Sequence, residues 1–171
     1  MTQIVPSSFK TKTVSDTLTR PANTTTYTAN DVVSDTTSDA HYSFALSKGI
    51  KSQSGVIVSA RITSSAFVAT APDLELWLFR NDVTDAADNI AATFTDAEML
   101  TRVGVIDFAT ANWKAGLPTA GAGGNHACEV YNLGIHYNLV DANMYGQLVV
   151  RNGYVPVSGE IFTVELVVTQ D

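Results

Sequence analysis

The sequence predicts an all-β domain in which short antiparallel strands form a two-sheet sandwich or a barrel. Three observations indicate this class: the apolar residues are mostly β-branched or aromatic, several segments alternate apolar and polar residues, and only one segment carries a helix-start signal. The chain has 171 residues, of which 45% are apolar and 16% charged, which is typical of a single folded domain rather than a disordered chain.

Alternation predicts eight or nine strands. In the segment 74–80, Leu74, Leu76 and Leu78 share one face and larger side chains occupy the other, so we expect this strand to be covered on both sides. The segment 162–168 has one strongly apolar face and is expected to be a core strand. The predicted strands lie at about 10–18, 25–33, 42–46, 56–62, 74–80, 103–108, 128–133, 145–150 and 162–168.

A single short helix is predicted near residues 96–102. Thr95 and Glu98 have the spacing of a capping box, in which each side chain bonds the other residue's backbone N–H. The longest predicted loop, 114–125, is rich in glycine, which favours a mobile or partner-ordered surface loop. No strands alternate with helices in the way that a parallel sheet requires.

Charge and cysteine content exclude several function classes. The net charge of −7 argues against nucleic-acid binding, because phosphate contacts need clustered Lys and Arg. The single cysteine, Cys128, cannot form an intrachain disulfide and is expected to be a core thiol. The N-terminus lacks a signal-peptide pattern and no segment is long and apolar enough to cross a membrane, so a cytosolic product without membrane contact is expected.

Few residues form a pattern that carries chemistry. Asp82, Asp85 and Asp88 could converge on a hard cation, but their spacing differs from an EF-hand and turn formation explains them better. His126 and Cys128 would share a strand face without a third orienting group, and neither His41 nor His136 completes a zinc-site spacing. We therefore expect no enzyme activity, no metal site and no cofactor. Three aromatic residues in or beside predicted loops are candidates for stacking on sugars or filling a partner's pocket, and packing in the core or against a loop is the more ordinary alternative for them: Trp113, Tyr137 and Tyr154.

Several stretches together resemble a group of small virion proteins of tailed phages. The run 18–33, LTRPANTTTYTANDVV, is similar to the group's opening signature, LTRPxxTTxY followed by DV. Further similar stretches are DLELWLF at 73–79, ADN at 87–89, FTDAE at 94–98, LVVRNGY at 148–154 and FTV at 162–164. The likeness extends from about residue 17 to residue 171.

The resemblance implies a jelly-roll β-sandwich that decorates or cements a phage head, typically as a homotrimer on the capsid lattice. Its partner would be the major capsid protein, and its location the capsid surface after synthesis in the host cytoplasm. A tail-associated or fibre-associated module that holds host surface glycans is the alternative, with Trp113 and Tyr154 as the stacking residues.

Residues 1–16 precede the region of resemblance, and we expect them to form an extended arm before a sandwich domain of residues 17–171. Residues 1–70 carry a net charge of +2 and residues 71–171 one of −9. The first 20 residues contain Lys10, Lys12 and Arg20 against Asp16 alone, so the arm would be attracted to an acidic surface. An arm of this kind could add backbone hydrogen bonds to the sheet edge of a neighbouring subunit. The residues expected to contact a partner are Lys10, Lys12, Arg20, Trp113 and Tyr154.

Overall fold

The computed structural model describes residues 10–35, 41–46, 53–84, 86–117 and 123–170, which form two packed antiparallel sheets. Sheet 1 has the order β1-β10-β4-β8-β7, and sheet 2 the order β2-β9-β5-β6, with β3 also paired to β9. The all-β sandwich predicted from the alternation is confirmed. The strands are β1 (Lys10–Thr19), β2 (Val32–Val33), β3 (Tyr42–Ala45), β4 (Gln53–Ser64), β5 (Leu74–Phe79), β6 (Arg102–Phe108), β7 (Trp113–Leu117), β8 (Asn125–Leu139), β9 (Asn143–Val150) and β10 (Ile161–Gln170).

The strand order is that of a jelly roll, a long antiparallel hairpin rolled into a sandwich. The tip of the hairpin is the β5·β6 pair, and the successive pairs β4·β8, β3·β9 and β1·β10 run back to the two ends of the chain. β2 and β3 pair with different stretches of β9 and so act as one interrupted strand. If β7 is left out and β2 and β3 are counted as one strand, each connection between successive strands crosses from one sheet to the other, except the connection from β5 to β6.

The core lies between the inner faces of the two sheets. β10 contributes Phe162, Val164, Leu166 and Val168, all fully buried, in agreement with its predicted role as a core strand. The leucines at 74, 76 and 78 face them from β5 and are also fully buried. This burial of one alternating face per strand is the main force that holds the sheets together.

The short helix α1 (Asp96–Met99) begins with the predicted capping box. The Glu98 N–H donates to Thr95 Oγ1 at 3.2 Å, and the Thr95 N–H donates to Glu98 Oε2 at 2.6 Å. Glu98 also accepts a hydrogen bond from the Thr84 N–H at 2.7 Å. These bonds, that from Thr84 first, lower the pKa of the Glu98 carboxyl to about 2. The helix ends three residues before the predicted limit because β6 begins at Arg102.

Three expectations about organisation are corrected. Lys10–Thr19 is a strand that pairs with β10 over its whole length, so the boundary between arm and sandwich is not at residue 16 and residues 10–16 belong to the sandwich. Trp113–Leu117 forms β7 against β8, although most of it was expected to be loop. The strand predicted at 25–33 is reduced to Val32–Val33. Residues 1–9 and 118–122, the remainder of the arm and the middle of the predicted loop, lie outside the described residues.

The outer faces of the two sheets differ in their exposure. On sheet 2, Phe94 stacks on Trp77 with ring centroids 5.2 Å apart, and the outward residues Val149 and Gln147 are almost completely buried. The segment that follows β5 therefore covers much of this face. The outer face of sheet 1, named the open face below, carries the outward side chains Thr11, Thr13, Ser15, Thr17, Ser59, Arg61, Thr63, Lys114, Ala127, Glu129, Tyr131, Thr163, Glu165 and Val167.

The capping box predicts the effect of Thr95→Ala. Loss of the Oγ1 acceptor should lower the free energy of unfolding by about 1 kcal/mol and the melting temperature by about 2–4 °C. Urea unfolding followed by circular dichroism measures this change. Thr24→Ala is the control, because Thr24 is exposed in a loop and should change stability by less than about 0.5 kcal/mol. Equal stability of the two variants would contradict the role of the cap.

Candidate functional site

Arg20, expected to contact a partner, is instead the centre of a buried polar cluster. It follows β1 and is 1% exposed. Its Nη2 donates to Asp88 Oδ2 at 3.2 Å, its Nη1 to the Val157 carbonyl at 3.3 Å, and its Nε to the Tyr27 hydroxyl. Burial lowers the pKa of the guanidinium, but the hydrogen bond to Tyr27 and the nearby charge of Asp88 help to raise it above its ordinary value, so Arg20 stays charged.

Two tyrosines extend the cluster. The Tyr27 hydroxyl donates to Asp88 Oδ1, and the Tyr27 ring stacks on Tyr154 with centroids 5.1 Å apart. Burial raises the pKa of both hydroxyls well above the ordinary value, and they remain neutral. Tyr154 is 4% exposed and packs in the core. Its ring therefore does not face a partner or a sugar, and the contact role expected of it is corrected.

Glu160 closes the cluster on the side of β4. It is 1% exposed and accepts hydrogen bonds from Ser64 Oγ at 2.5 Å and from the Val157 N–H at 3.2 Å. Burial raises the pKa of its carboxyl, an effect that these hydrogen bonds and Arg20 partly offset. The cluster thus ties the segments around residues 20, 27, 88 and 160 into one unit, which indicates a structural role.

Trp113 is also buried, at 7% exposure. Its Nε1 donates to the Phe108 carbonyl at 3.2 Å, and its ring meets His126 edge-on with centroids 6.1 Å apart. Tyr137, another aromatic candidate, lies in β8 and is 4% exposed. Both rings therefore pack in the core, the ordinary alternative to partner contact, because each lies on the inward side of a strand that was predicted to be shorter or to be loop. The partner-contact role expected of Trp113 is corrected accordingly.

The two N-terminal lysines differ from each other. Lys10 is exposed at the start of β1, whereas Lys12 points inward and donates from Nζ to the carbonyls of Ala45 and Leu46, both at 2.8 Å. Asp16, also inward on β1, accepts from the Ser43 N–H at 2.7 Å. Inward charges of this kind protect a sheet edge, and here they join the edge of sheet 1 to β3 of sheet 2. Of the five predicted contact residues, Lys10 is the one that is exposed for contact with a partner.

The histidine and cysteine considered for chemistry are core residues. Burial raises the pKa of the Cys128 thiol to about 11 and lowers the pKa of His126, so both groups are neutral at physiological pH. The His126 ring packs on Phe67 with centroids 4.5 Å apart. A thiolate nucleophile would need the opposite pKa shift, and this pair does not supply one.

The two described aspartates of the three considered for a cation pair with different side chains. Asp88 pairs with Arg20, and Asp82 lies 3.1 Å from His41 Nε2, while Asp85 lies outside the described residues. Within the described ranges no group of three or more His, Cys, Asp or Glu side chains is placed to hold a metal ion.

Tyr131, which the sequence did not single out, is the exposed aromatic ring of the open face. It is 64% exposed in the middle of β8, and its hydroxyl donates to Glu129 Oε2, which raises the pKa of the tyrosine. A groove of about 1050 Å³ runs beside it across β10, β4, β8 and β7, with Ala127, Thr63 and Thr163 among its lining residues. The available signal was the alternation of Glu129 and Tyr131 with Cys128 and Val130, which places the first two on the same side of the strand.

The sequence fits no model of a protein family, and none of the curated proteins matches it. As regards membranes, the described part of the chain contains no helix that is long and apolar enough to span one.

The buried ion pair predicts a large effect of Arg20→Ala. Removal of the guanidinium leaves the Asp88 carboxylate, 7% exposed, without its charged partner, and should lower the free energy of unfolding by about 3–5 kcal/mol. Arg61→Ala is the matched control, because it breaks the exposed pair with Glu165 at 3.2 Å and should cost at most about 1 kcal/mol. Guanidinium chloride unfolding measures both, and similar losses in the two variants would refute the structural role of the cluster.

Burial of Cys128 predicts an unreactive thiol. With a pKa of about 11, only about one thiol in a thousand is ionised at pH 8. Titration with a chromogenic disulfide reagent should give no prompt reaction of the native chain and one equivalent in denaturant. Rapid, stoichiometric labelling of the native protein would show that β8 opens or is placed differently.

Proposed function

We propose that this chain is a decoration, or cement, protein of a tailed-phage head, which binds the assembled shell and stabilises it without making or breaking bonds. The observation that carries the proposal is the jelly-roll strand order, which is the fold that the resemblance implies for this group. The partners would be the major capsid protein and further copies of the chain, as a homotrimer on the capsid surface.

The burial of several signature residues supports the proposal. Five residues that carry much of the resemblance are all buried within a stretch of 15 residues: Leu18, Arg20, Tyr27, Asp31 and Val32. Their pattern is therefore a requirement of the fold at one end of the sandwich. A shared signature of this kind indicates a shared jelly roll, and the capsid role follows from the group rather than from a reactive centre.

The N-terminus offers a contact element shorter than the sequence suggested. β1 occupies the edge of sheet 1 from Lys10 onward, so residues 1–9 are the part of the expected arm that lies before the sandwich. Nine residues can reach at most about 30 Å, which is enough to cross a neighbouring subunit's surface. We propose that this segment, with Lys10 at its base, contacts the capsid.

The mechanism would be mass action. A protein that binds only the assembled shell lowers the free energy of that state by its binding free energy, and many copies multiply the effect. Trimerisation would let three weak contacts act together, because each bound contact raises the effective concentration of the next.

The glycan-binding alternative loses the residues proposed for it. Trp113 and Tyr154 are 7% and 4% exposed, so neither presents a ring face to a sugar. A tail or fibre module would also be present in tens of copies or fewer per particle, whereas a decoration protein is present in hundreds.

Copy number and deletion of the N-terminal segment test the proposal. The chain should co-sediment with expanded heads of the phage that encodes it at hundreds of copies per particle, and deletion of residues 1–9 should weaken binding about tenfold or more. The deletion should leave the melting temperature unchanged, because β1 stays intact. Deletion of residues 1–16 is the control for fold damage, since it removes seven residues of β1. A count of tens or fewer would reject the decoration role, and unchanged binding after the shorter deletion would reject the contact segment.

A further inference from the structure

We propose that the open face of sheet 1 is the surface that docks on the capsid, with Tyr131 as its anchoring residue. This inference rests on the proposed decoration function and names the contact surface that the function requires. Four features of the face support it: its area, its side chains, its charge and the position of Tyr131.

The area of the face matches a specific protein interface. Five strands spaced about 4.8 Å apart and about ten residues long cover roughly 24 by 33 Å, or about 800 Å². A stable protein–protein interface buries about 800 Å² on each partner. Because the segment after β5 covers much of the other sheet, the open face is the broad sheet surface that a flat shell could use.

The side chains of the face lose little entropy when they are buried. β1 presents Thr11, Thr13, Ser15 and Thr17 outward, and Thr63 and Thr163 continue the pattern on neighbouring strands. Thr17 and Thr163 already bond each other across the strands, with their Oγ1 atoms 2.9 Å apart. Short, β-branched and partly bonded side chains have less rotamer freedom to lose on docking than Lys or Glu.

The charge of the face also favours docking. Arg61 and Lys114 balance Glu129 and Glu165, and Arg61 bonds Glu165 at 3.2 Å, whereas the whole chain has a net charge of −7. A neutral patch on an acidic protein can approach a shell without the repulsion that the rest of the surface would cause. The balanced charges also argue against a phosphate-rich partner.

Tyr131 has the character of an interface anchor. Its hydroxyl is held by Glu129, which limits the freedom of the ring, and the groove beside it could receive a protruding loop of the partner. After Tyr131, β8 bulges against β4: residues 132–134 face Val58 alone, and Asn132 and Gly134 have φ of 58° and 62°. Bulges of this kind redirect side chains, and exposed tyrosines are common hot spots.

A neutral sugar is the competing occupant of the groove, because it too would use a ring and polar side chains. The size of the face favours a protein. A sugar bound in the groove would leave the Thr and Ser row of β1 unused, whereas a flat protein surface would cover both.

Three variants and one footprint test the inference with expanded heads of the phage that encodes the chain. Tyr131→Ala removes the ring, and Ala127→Arg places a long charged side chain in the groove. Val140→Ala is the matched control, because Val140 is 55% exposed just beyond the opposite end of β8. Circular dichroism and melting temperatures verify that all variants fold, and co-sedimentation gives the affinity.

We expect Tyr131→Ala and Ala127→Arg to weaken head binding about tenfold or more and Val140→Ala to leave it within about twofold. Hydroxyl-radical footprinting of the wild type should show Tyr131 protected on heads. Wild-type binding with no loss in either groove variant, or with Tyr131 unprotected, overturns the docking face and leaves the decoration function standing. Failure of the wild type to bind heads overturns both. Tyr131-dependent binding on an array of neutral glycans, without loss on heads, assigns the groove to sugar and rejects it as the capsid contact.

Discussion

The register of β10 against its two neighbours decides which side chains enter the core between the two sheets. β10 pairs with β1 on one side and with β4 on the other, so it connects the edge strand of sheet 1 with the rest of that sheet. Because side chains alternate between faces, a slip of one residue would move Phe162, Val164, Leu166 and Val168 from the core to the open face and bring Thr163 and Glu165 inside. The burial of this one strand fixes the position of the others.

Apolar burial alone does not close the end of the sandwich near residues 20, 27, 88 and 160. There the Arg20 guanidinium, the Asp88 carboxylate and the Tyr27 hydroxyl are removed from water together, which is tolerable only because each has hydrogen-bond or ion-pair partners. Such a network contributes little net stability but penalises any arrangement that leaves one member unpaired. It therefore specifies how the segment after β1 and the segment after β5 meet. Arg20 and Tyr27 both lie in the run 18–33, so this part of the sequence serves the packing of one end of the sandwich.

The two outer faces have different consequences for function. Sheet 2 is covered largely by the chain's own segment, with Phe94 packed on Trp77 and Phe79. None of the described segments covers sheet 1 in a comparable way, and this sheet presents short polar side chains with balanced charge and one exposed tyrosine. A rigid jelly roll with one such face suits passive binding to a flat, repeated surface, and the proposed docking face rests on that asymmetry.

The fold class, most strands and the capped helix could be predicted from the amino-acid sequence alone. The reason is that the alternation of apolar residues and the Thr95–Glu98 spacing are local signals, which tertiary contacts did not override. The sequence did not determine which outward residues meet a partner. Arg20, Trp113 and Tyr154 are of residue types that are common in protein interfaces. Their exposure, however, depends on strands and loops distant in sequence that pack over them. Tyr131 looks like an ordinary strand residue, and only the tertiary structure leaves it on an uncovered face. Local pattern fixes which face a side chain takes, whereas burial is a property of what packs against that face.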